Sequence, residues 1–212
     1  MARPLTTMTS HKCEPLTSVD GSENVILKNF TPEPTQMAMF TANNGAVPAG
    51  RIWSENASSG NIELGVDGSR VAYINRRSTG NPSTGFYTDD ASAQNAVHVT
   101  AKNGFEHKVA CYALFQGMEF STTEFRTDLT YAINEYLRAP DATALSNVTA
   151  DIVAYGGVLT NATVQYGKHA IVGVVSKVKY KNEHNVWALN FYALYAPPIQ
   201  NLTTSLITAI NT

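Results

Sequence analysis

The chain has 212 residues and a formal net charge of −2, with 43% hydrophobic and only 15% charged residues. Its densest basic cluster is the pair Arg76-Arg77, which is too small to neutralise several phosphates, so nucleic-acid binding is not expected. No apolar run approaches the ~20 residues of a membrane-spanning helix, and the N-terminus lacks the apolar core of a secretion signal; we therefore expect no membrane partner and synthesis in the cytoplasm.

Residues 1–36 are predicted to form an extended N-terminal arm. Proline biases the residue before it towards an extended conformation, and the segment has four prolines: Pro4, Pro15, Pro32 and Pro34. A solvated terminus and an arm docked on a partner both fit this pattern. Docking is favoured because a solvated tail does not require the apolar residues found here: Val25, Ile26, Leu27 and Phe30.

Residues 37–200 are predicted to form a β-rich domain, followed by a C-terminal tail at residues 201–212. Short apolar or alternating segments between turn signals predict strands at residues 37–40, 61–66, 70–74, 96–100 and 108–115. Asp67-Gly68 predicts a two-residue hairpin turn between the second and third of these strands. The Gly- and Pro-bearing segment at residues 75–85 predicts a loop.

One flanking α-helix is predicted at about residues 121–138. Ser121 and Glu124 have capping-box spacing. Apolar residues then recur at helical spacing: Phe125, Leu129, Ala132, Ile133, Tyr136 and Leu137. Pro140 is expected to end this helix. A weaker pattern at residues 142–152 suggests a second short helix.

The segment from His169 to Tyr195 predicts a long β-hairpin. Its first strand is rich in β-branched residues, residues 181–185 are polar, and residues 186–195 alternate with apolar side chains on both faces. A strand that is apolar on both faces is buried on both or lies at an interface. The fold is therefore predicted to be mainly β, a β-sandwich or barrel-like domain with one flanking helix.

No pattern predicts catalysis or a cofactor. The five histidines lack the spacing of zinc ligands, and neither a phosphate-binding loop nor a nucleophile elbow is present. Cys13 and Cys111 are expected to be free thiols, and Cys111 lies in an apolar strand that favours burial over reactivity. We therefore expect a protein that is not an enzyme and that binds no cofactor or metal.

Residues 167–177, the loop with Asn182 and His184, and residues 186–197 resemble the C-terminal hairpin of virion structural proteins from tailed bacteriophages, of the head-decoration or cement type. Residues 46–50 and 66–70 are loosely similar to the turn-rich strands of the same proteins. The resemblance implies a β-rich body clustered as a trimer or similar ring on a capsid, with an arm that clips onto neighbouring subunits. The implied partners are the major capsid protein or other virion subunits, and the implied location is the virion.

The predicted interface combines the apolar residues of the arm with the aromatic residues of the hairpin. Tyrosine and tryptophan suit interfaces because they bury a large area and keep one polar end. The residues concerned are Val25, Ile26, Leu27, Phe30, Trp187, Phe191, Tyr192 and Tyr195. Two alternatives stay open: a tail-tube or other phage tail subunit, and a carbohydrate-binding β-sandwich that uses the loop at residues 75–85.

Overall fold

A computed structural model describes residues 13–15, 27–42, 47–66, 71–76, 109–162 and 171–194. Within these ranges the chain forms ten strands and two helices, which confirms the mainly β class. The strands are β1 (Cys13–Pro15), β2 (Leu27–Phe30), β3 (Ile52–Glu55), β4 (Ile62–Leu64), β5 (Ala72–Asn75), β6 (Val109–Ala113), β7 (Glu119–Thr122), β8 (Tyr136–Arg138), β9 (Ile171–Lys181) and β10 (Trp187–Ala193). The helices are α1 (Pro34–Ala42) and α2 (Thr149–Tyr155).

The strands form two antiparallel five-stranded sheets. Sheet 1 has the order β1-β7-β10-β9-β8, and sheet 2 has the order β2-β6-β5-β3-β4. The two sheets share one hydrophobic core, in which Ile52 and Ile74 of sheet 2 lie with Phe120 and Leu189 of sheet 1. Sharing a core in this way makes the domain a β-sandwich. Each large side chain buried there contributes about 1.5–3 kcal/mol to stability.

Sheet 2 is buried on both faces. Its strands alternate, so that Trp53 and Tyr73 point away from the shared core into a second cluster. Helix α1 covers this cluster with Met37 and Phe40. The prediction of a strand at residues 37–40 is therefore wrong: Pro34 suits the first position of a helix, and the buried side chains recur at helical spacing.

The predicted helix at about residues 121–138 is also wrong. Strand β7 continues to Thr122, turns follow, and β8 begins at Tyr136. The supposed capping residue Glu124 instead binds Arg51 through its carboxylate, and Asn134 has a φ of 68°, outside the helical region. Two residues of the apolar pattern, Phe125 and Leu137, are instead buried in the shared core, where Phe125 packs edge to face against Tyr131.

The strands predicted around Asp67-Gly68 exist, but they do not form a hairpin. Strand β3 lies between β4 and β5 and pairs with both, through Trp53↔Leu64 and Trp53↔Tyr73. Residues 67–70 lie outside the described residues. The turn signal was therefore misleading about which strands are neighbours, because β3, which precedes β4 in the chain, lies between β4 and β5 and pairs with both.

The described residues of the predicted arm belong to the sandwich itself. Strand β1 pairs with β7 at one edge of sheet 1, and β2 pairs with β6 at one edge of sheet 2. Phe30 is buried and lies 4.5 Å from the ring of Tyr73 in an edge-to-face contact. The prediction of a separate arm is therefore corrected for β1 and β2, which are strands of the two sheets. Residues 1–12 and 16–26 of the predicted arm, and the tail at 201–212, lie outside the described ranges.

Candidate interface on the C-terminal hairpin

The predicted long hairpin is confirmed. Strands β9 and β10 pair antiparallel, with Lys181 opposite Trp187 and Val174 opposite Tyr192. The turn is built on Asn182, whose side-chain oxygen accepts hydrogen bonds from the backbone N–H groups of His184 and Val186, both at 3.0 Å. Asn185 adopts a φ of 58°, which asparagine tolerates better than most residues. The polar loop of the sequence is thus a defined turn.

One face of the hairpin belongs to the shared core. Val175, Leu189 and Phe191 are fully buried, and Phe191 stacks on Phe120 with 5.9 Å between ring centroids. Gly173 leaves room for this ring, because a Cβ atom there would lie 2.5 Å from a carbon of Phe191. The interface prediction for Phe191, like that for Phe30, therefore needs correction: both side chains pack inside this chain.

The other face of sheet 1 carries a row of apolar side chains, which we call the outer row: the exposed Tyr136 and Tyr192, with the half-buried Val174 between them. Val174 pairs with Tyr136 on one side and with Tyr192 on the other, and directly paired residues place their side chains on the same face. Tyr136 is 39% exposed and Tyr192 is 42% exposed. These two tyrosines are therefore accessible to another molecule, and of the two only Tyr192 belongs to the predicted interface.

The outer row ends at a hydrogen-bonded carboxylate. Glu119 pairs with Tyr192 across β7 and β10, and it accepts a hydrogen bond of 2.5 Å from the Ser176 hydroxyl. Beyond it, the Tyr180 hydroxyl donates to the Asn190 side chain at 3.0 Å and lies 3.1 Å from the Ser121 hydroxyl. These bonds fix the side chains on either side of the exposed tyrosines.

The distal half of the hairpin carries a second feature, the lysine–aromatic strip: Lys177, Lys179, Lys181, Tyr180 and Trp187. The Lys179 and Lys181 ammonium groups lie 5.5 and 4.6 Å from the Trp187 ring centroid, and the Lys177 ammonium lies 4.1 Å from the Tyr180 ring centroid. Cation–π attraction holds the ammonium groups over the rings. Trp187 remains 37% exposed, consistent with the predicted interface role.

Among the described residues, Arg51 and Glu124 form a buried ion pair that links parts of the fold. Arg51 binds Glu124 at 3.2 Å and donates to the backbone carbonyls of Gly156 and Ala154 at the end of α2. Burial lowers the pKa of Arg51, and the neighbouring Glu124 partly offsets this effect. The pair links β3 and the segment after β7 with a helix C-terminus, where a cation is favoured. No sequence signal pointed to this pair.

In the part of the chain that the structure describes, no cluster of three or more His, Cys, Asp or Glu residues could hold a metal ion. Cys13 and Cys111 are buried and form no disulfide, and burial raises the pKa of the Cys111 thiol, which disfavours the reactive thiolate. Among the described helices, none has the length and apolar character that crossing a membrane requires.

Several predicted residues cannot be placed in the site. Val25, Ile26 and Tyr195 lie outside the described residues, as do residues 77–85 of the predicted loop. Leu27 belongs to β2 at the edge of sheet 2, and Asn75, the first residue of that loop, is buried and binds the Arg51 and Pro48 backbones. The candidate interface therefore consists of the outer row and the lysine–aromatic strip.

Comparisons with known proteins add no relative: no protein-family model matches the chain, and neither a curated protein nor a solved structure is significantly similar to it.

Proposed function

We propose that the chain is a virion structural subunit that binds a capsid lattice in a decoration or cement role. The outer row and the lysine–aromatic strip are the docking surface. In this proposal the major capsid protein or another virion subunit is the partner, and the chain itself clusters as a homo-oligomer, with a trimer favoured.

The observation that carries the proposal is the concentration of exposed large apolar side chains on one part of the molecule. Most of those found among the described residues lie on β8, on the hairpin, or in the turn before β8: Ile133, Tyr136, Val178, Trp187 and Tyr192. Single exposed apolar residues are normal, whereas several on neighbouring strands favour an interaction surface. The composition of the group, with two tyrosines and a tryptophan, matches that of energetically important interface residues.

The construction of the sandwich supports a role for this surface. Sheet 2 is covered on both faces, by sheet 1 and by α1, and the covered face of sheet 1 is the shared core. Rigid strands hold the outer row, and rigidity lowers the entropy cost of binding because few side chains must be ordered. A preformed flat surface of this kind suits docking on a repeating shell.

The proposal is tested by co-expressing the full chain with the major capsid gene of the same genome and sedimenting the assembled shells. The chain is expected to sediment with shells and, when alone, to elute as an oligomer in size-exclusion chromatography with light scattering. A chain that stays monomeric and remains in the supernatant at every ratio to shells contradicts the proposal.

A further inference from the structure

Among the described residues, strand β9 has an open edge beyond Val175. Strand β8 pairs with its first part, ending at Tyr136↔Val174, and Val175 exchanges backbone hydrogen bonds of 2.9 Å with Asn134 and Glu135. From residue 176 to residue 181, no described strand pairs with β9 on the side away from β10. Such an edge presents backbone N–H and C=O groups to which an added strand can bind.

The same six residues carry three lysines at alternate positions. Lys177 and Lys181 are exposed, and the described residues provide no carboxylate within ion-pair distance of either ammonium group. Lys179 is held differently, because its ammonium donates to the Thr127 and Leu129 carbonyls at 2.9 Å each. The open edge is therefore flanked by positive charges that are not neutralised within the described chain.

The positions of these charges are fixed in advance. Lys181 lies over Trp187 and donates to the Asn185 carbonyl at 3.0 Å, and Lys177 lies over Tyr180, whose hydroxyl is itself hydrogen-bonded to Asn190. A lysine side chain that is already held loses less rotamer freedom when a carboxylate binds. The ammonium groups are thus arranged along the strand before a partner arrives.

We propose that residues 176–181 of β9 accept an extended, acidic segment of a partner protein as an added antiparallel or parallel strand. Backbone hydrogen bonds to the open edge supply affinity, and carboxylates of the partner segment bind Lys177 and Lys181. The inference rests on the proposed function only in taking the partner to be a virion subunit; the chemistry of the partner follows from the edge itself.

Two other occupants fit the edge less well. A second copy of β9 would place lysines opposite lysines, and like charges directly opposite in a sheet are destabilising. A nucleic acid would need many more phosphate contacts than these lysines provide. An acidic protein segment satisfies both the backbone groups and the charges.

The test is nuclear magnetic resonance of the full ¹⁵N-labelled chain titrated with a peptide that alternates glutamate and valine and is long enough to pair with residues 176–181. Amide shifts confined to residues 176–181 and the strand β10 beside them are expected, with saturation at millimolar peptide. The double variant Lys177→Gln/Lys181→Gln is expected to bind the peptide about tenfold more weakly, which corresponds to a loss of about 1.4 kcal/mol of binding free energy. Lys28→Gln, in β2 of the other sheet, removes one charge elsewhere and should bind like the wild type.

Other outcomes overturn the inference. No amide shift up to about 5 mM peptide, where even millimolar affinity gives clear occupancy, contradicts it. So does equal binding of a matched peptide that alternates lysine and valine, or a stronger response to a single-stranded oligothymidine, which would indicate a nucleic acid instead.

The inference and the proposed function can fail separately. If the wild-type chain sediments with shells and the Lys177→Gln/Lys181→Gln variant does so equally well, the acidic-strand inference is wrong and the capsid role stands. If the peptide titration succeeds and no shell binds the chain, the edge has the proposed chemistry but serves another partner.

Discussion

Phe191 and Tyr192 are adjacent in β10, yet their side chains have opposite environments. Phe191 is fully buried against Phe120, whereas Tyr192 lies in the outer row. Phe191→Ala is expected to lower the free energy of unfolding by about 3–5 kcal/mol, because it leaves a cavity in the shared core. Tyr192→Ala is expected to lower it by less than about 1 kcal/mol. Urea denaturation at neutral pH measures both, and equal losses would contradict the assigned faces.

The buried pair of Arg51 and Glu124 makes a second prediction at the residue scale. Arg51→Met removes the guanidinium that neutralises the buried Glu124 carboxylate, which is expected to cost about 3–5 kcal/mol of stability. Asp128→Asn is the matched control, because it removes an ion pair with Arg126 whose aspartate is well exposed and should change stability by less than about 1 kcal/mol. Urea midpoints of the two variants should differ clearly; similar midpoints would show that the buried pair is not a structural link.

Three buried groups predict how stability depends on pH. Burial is the main cause that raises the pKa of Cys111 above its ordinary value of 9.0. It likewise raises the pKa of Tyr73 and of Tyr131 above their ordinary value of 10.0. Below pH 9 these groups are protonated in the folded and unfolded chains, so their contribution is fully present. Above the ordinary pKa of each group, the unfolded chain releases a proton that the folded chain keeps. The free energy of unfolding therefore falls by up to ~1.4 kcal/mol per pH unit for each group.

Urea midpoints measured from pH 8 to pH 11 check this dependence, which should be flat at first and then decline. Cys111→Ala should weaken the decline at its lower end, because the thiol has the lowest ordinary pKa of the three groups. A midpoint that stays constant to pH 11 would contradict the burial of these groups.

At the scale of elements, the sequence predicted the hairpin because its signal is local. β-branched residues, a polar turn and alternation are all read within residues 169–195, and the structure has strands at Ile171–Lys181 and Trp187–Ala193. The order of β4, β3 and β5 could not be read in this way, because β3 pairs with two strands at once. The lysine alternation at residues 177–181 was visible in the sequence, but the open edge beside it was not.

The false helix at residues 121–138 shows how tertiary contacts override a local pattern. Its capping-box and apolar spacing were genuine, yet Thr122 donates to the Gly50 carbonyl and Glu124 binds Arg51. Tyr136, taken as one helical position, became part of the outer row when β8 paired with β9. The surface was therefore only partly predictable: Trp187 and Tyr192, which the sequence pattern proposes for an interface, are exposed, whereas the exposure of Tyr136 could not be read from the same pattern.

The turn of the hairpin gives a prediction at this scale. Asn182→Ala removes the acceptor for two backbone N–H groups, so the turn is expected to lose about 1 kcal/mol of local stability. Native-state hydrogen exchange at the amides of His184 and Val186 should accelerate about fivefold, the factor that this energy implies. Asn185→Gly is the control, because glycine adopts a positive φ readily; acceleration in the control alone would contradict this account of the turn.

At the scale of the whole molecule, the described chain is layered: α1, then sheet 2, then sheet 1, whose outer row is exposed. One core packs α1 against sheet 2, a second core packs sheet 2 against sheet 1, and the proposed function uses the opposite face of sheet 1. Stability and docking therefore depend on different residues. A variant of the outer row should fold normally and fail only in assembly.

The central claim is tested most directly by sedimenting shells with the double variant Tyr136→Ser/Tyr192→Ser, with Val148→Ser as the control. Val148 is also an exposed apolar residue, but it directly precedes α2 and belongs to neither β8 nor the hairpin. The account predicts that the wild type and Val148→Ser sediment with shells, while the double variant keeps its urea midpoint and stays in the supernatant. Equal sedimentation of all three proteins would contradict the assignment of the outer row as the docking surface.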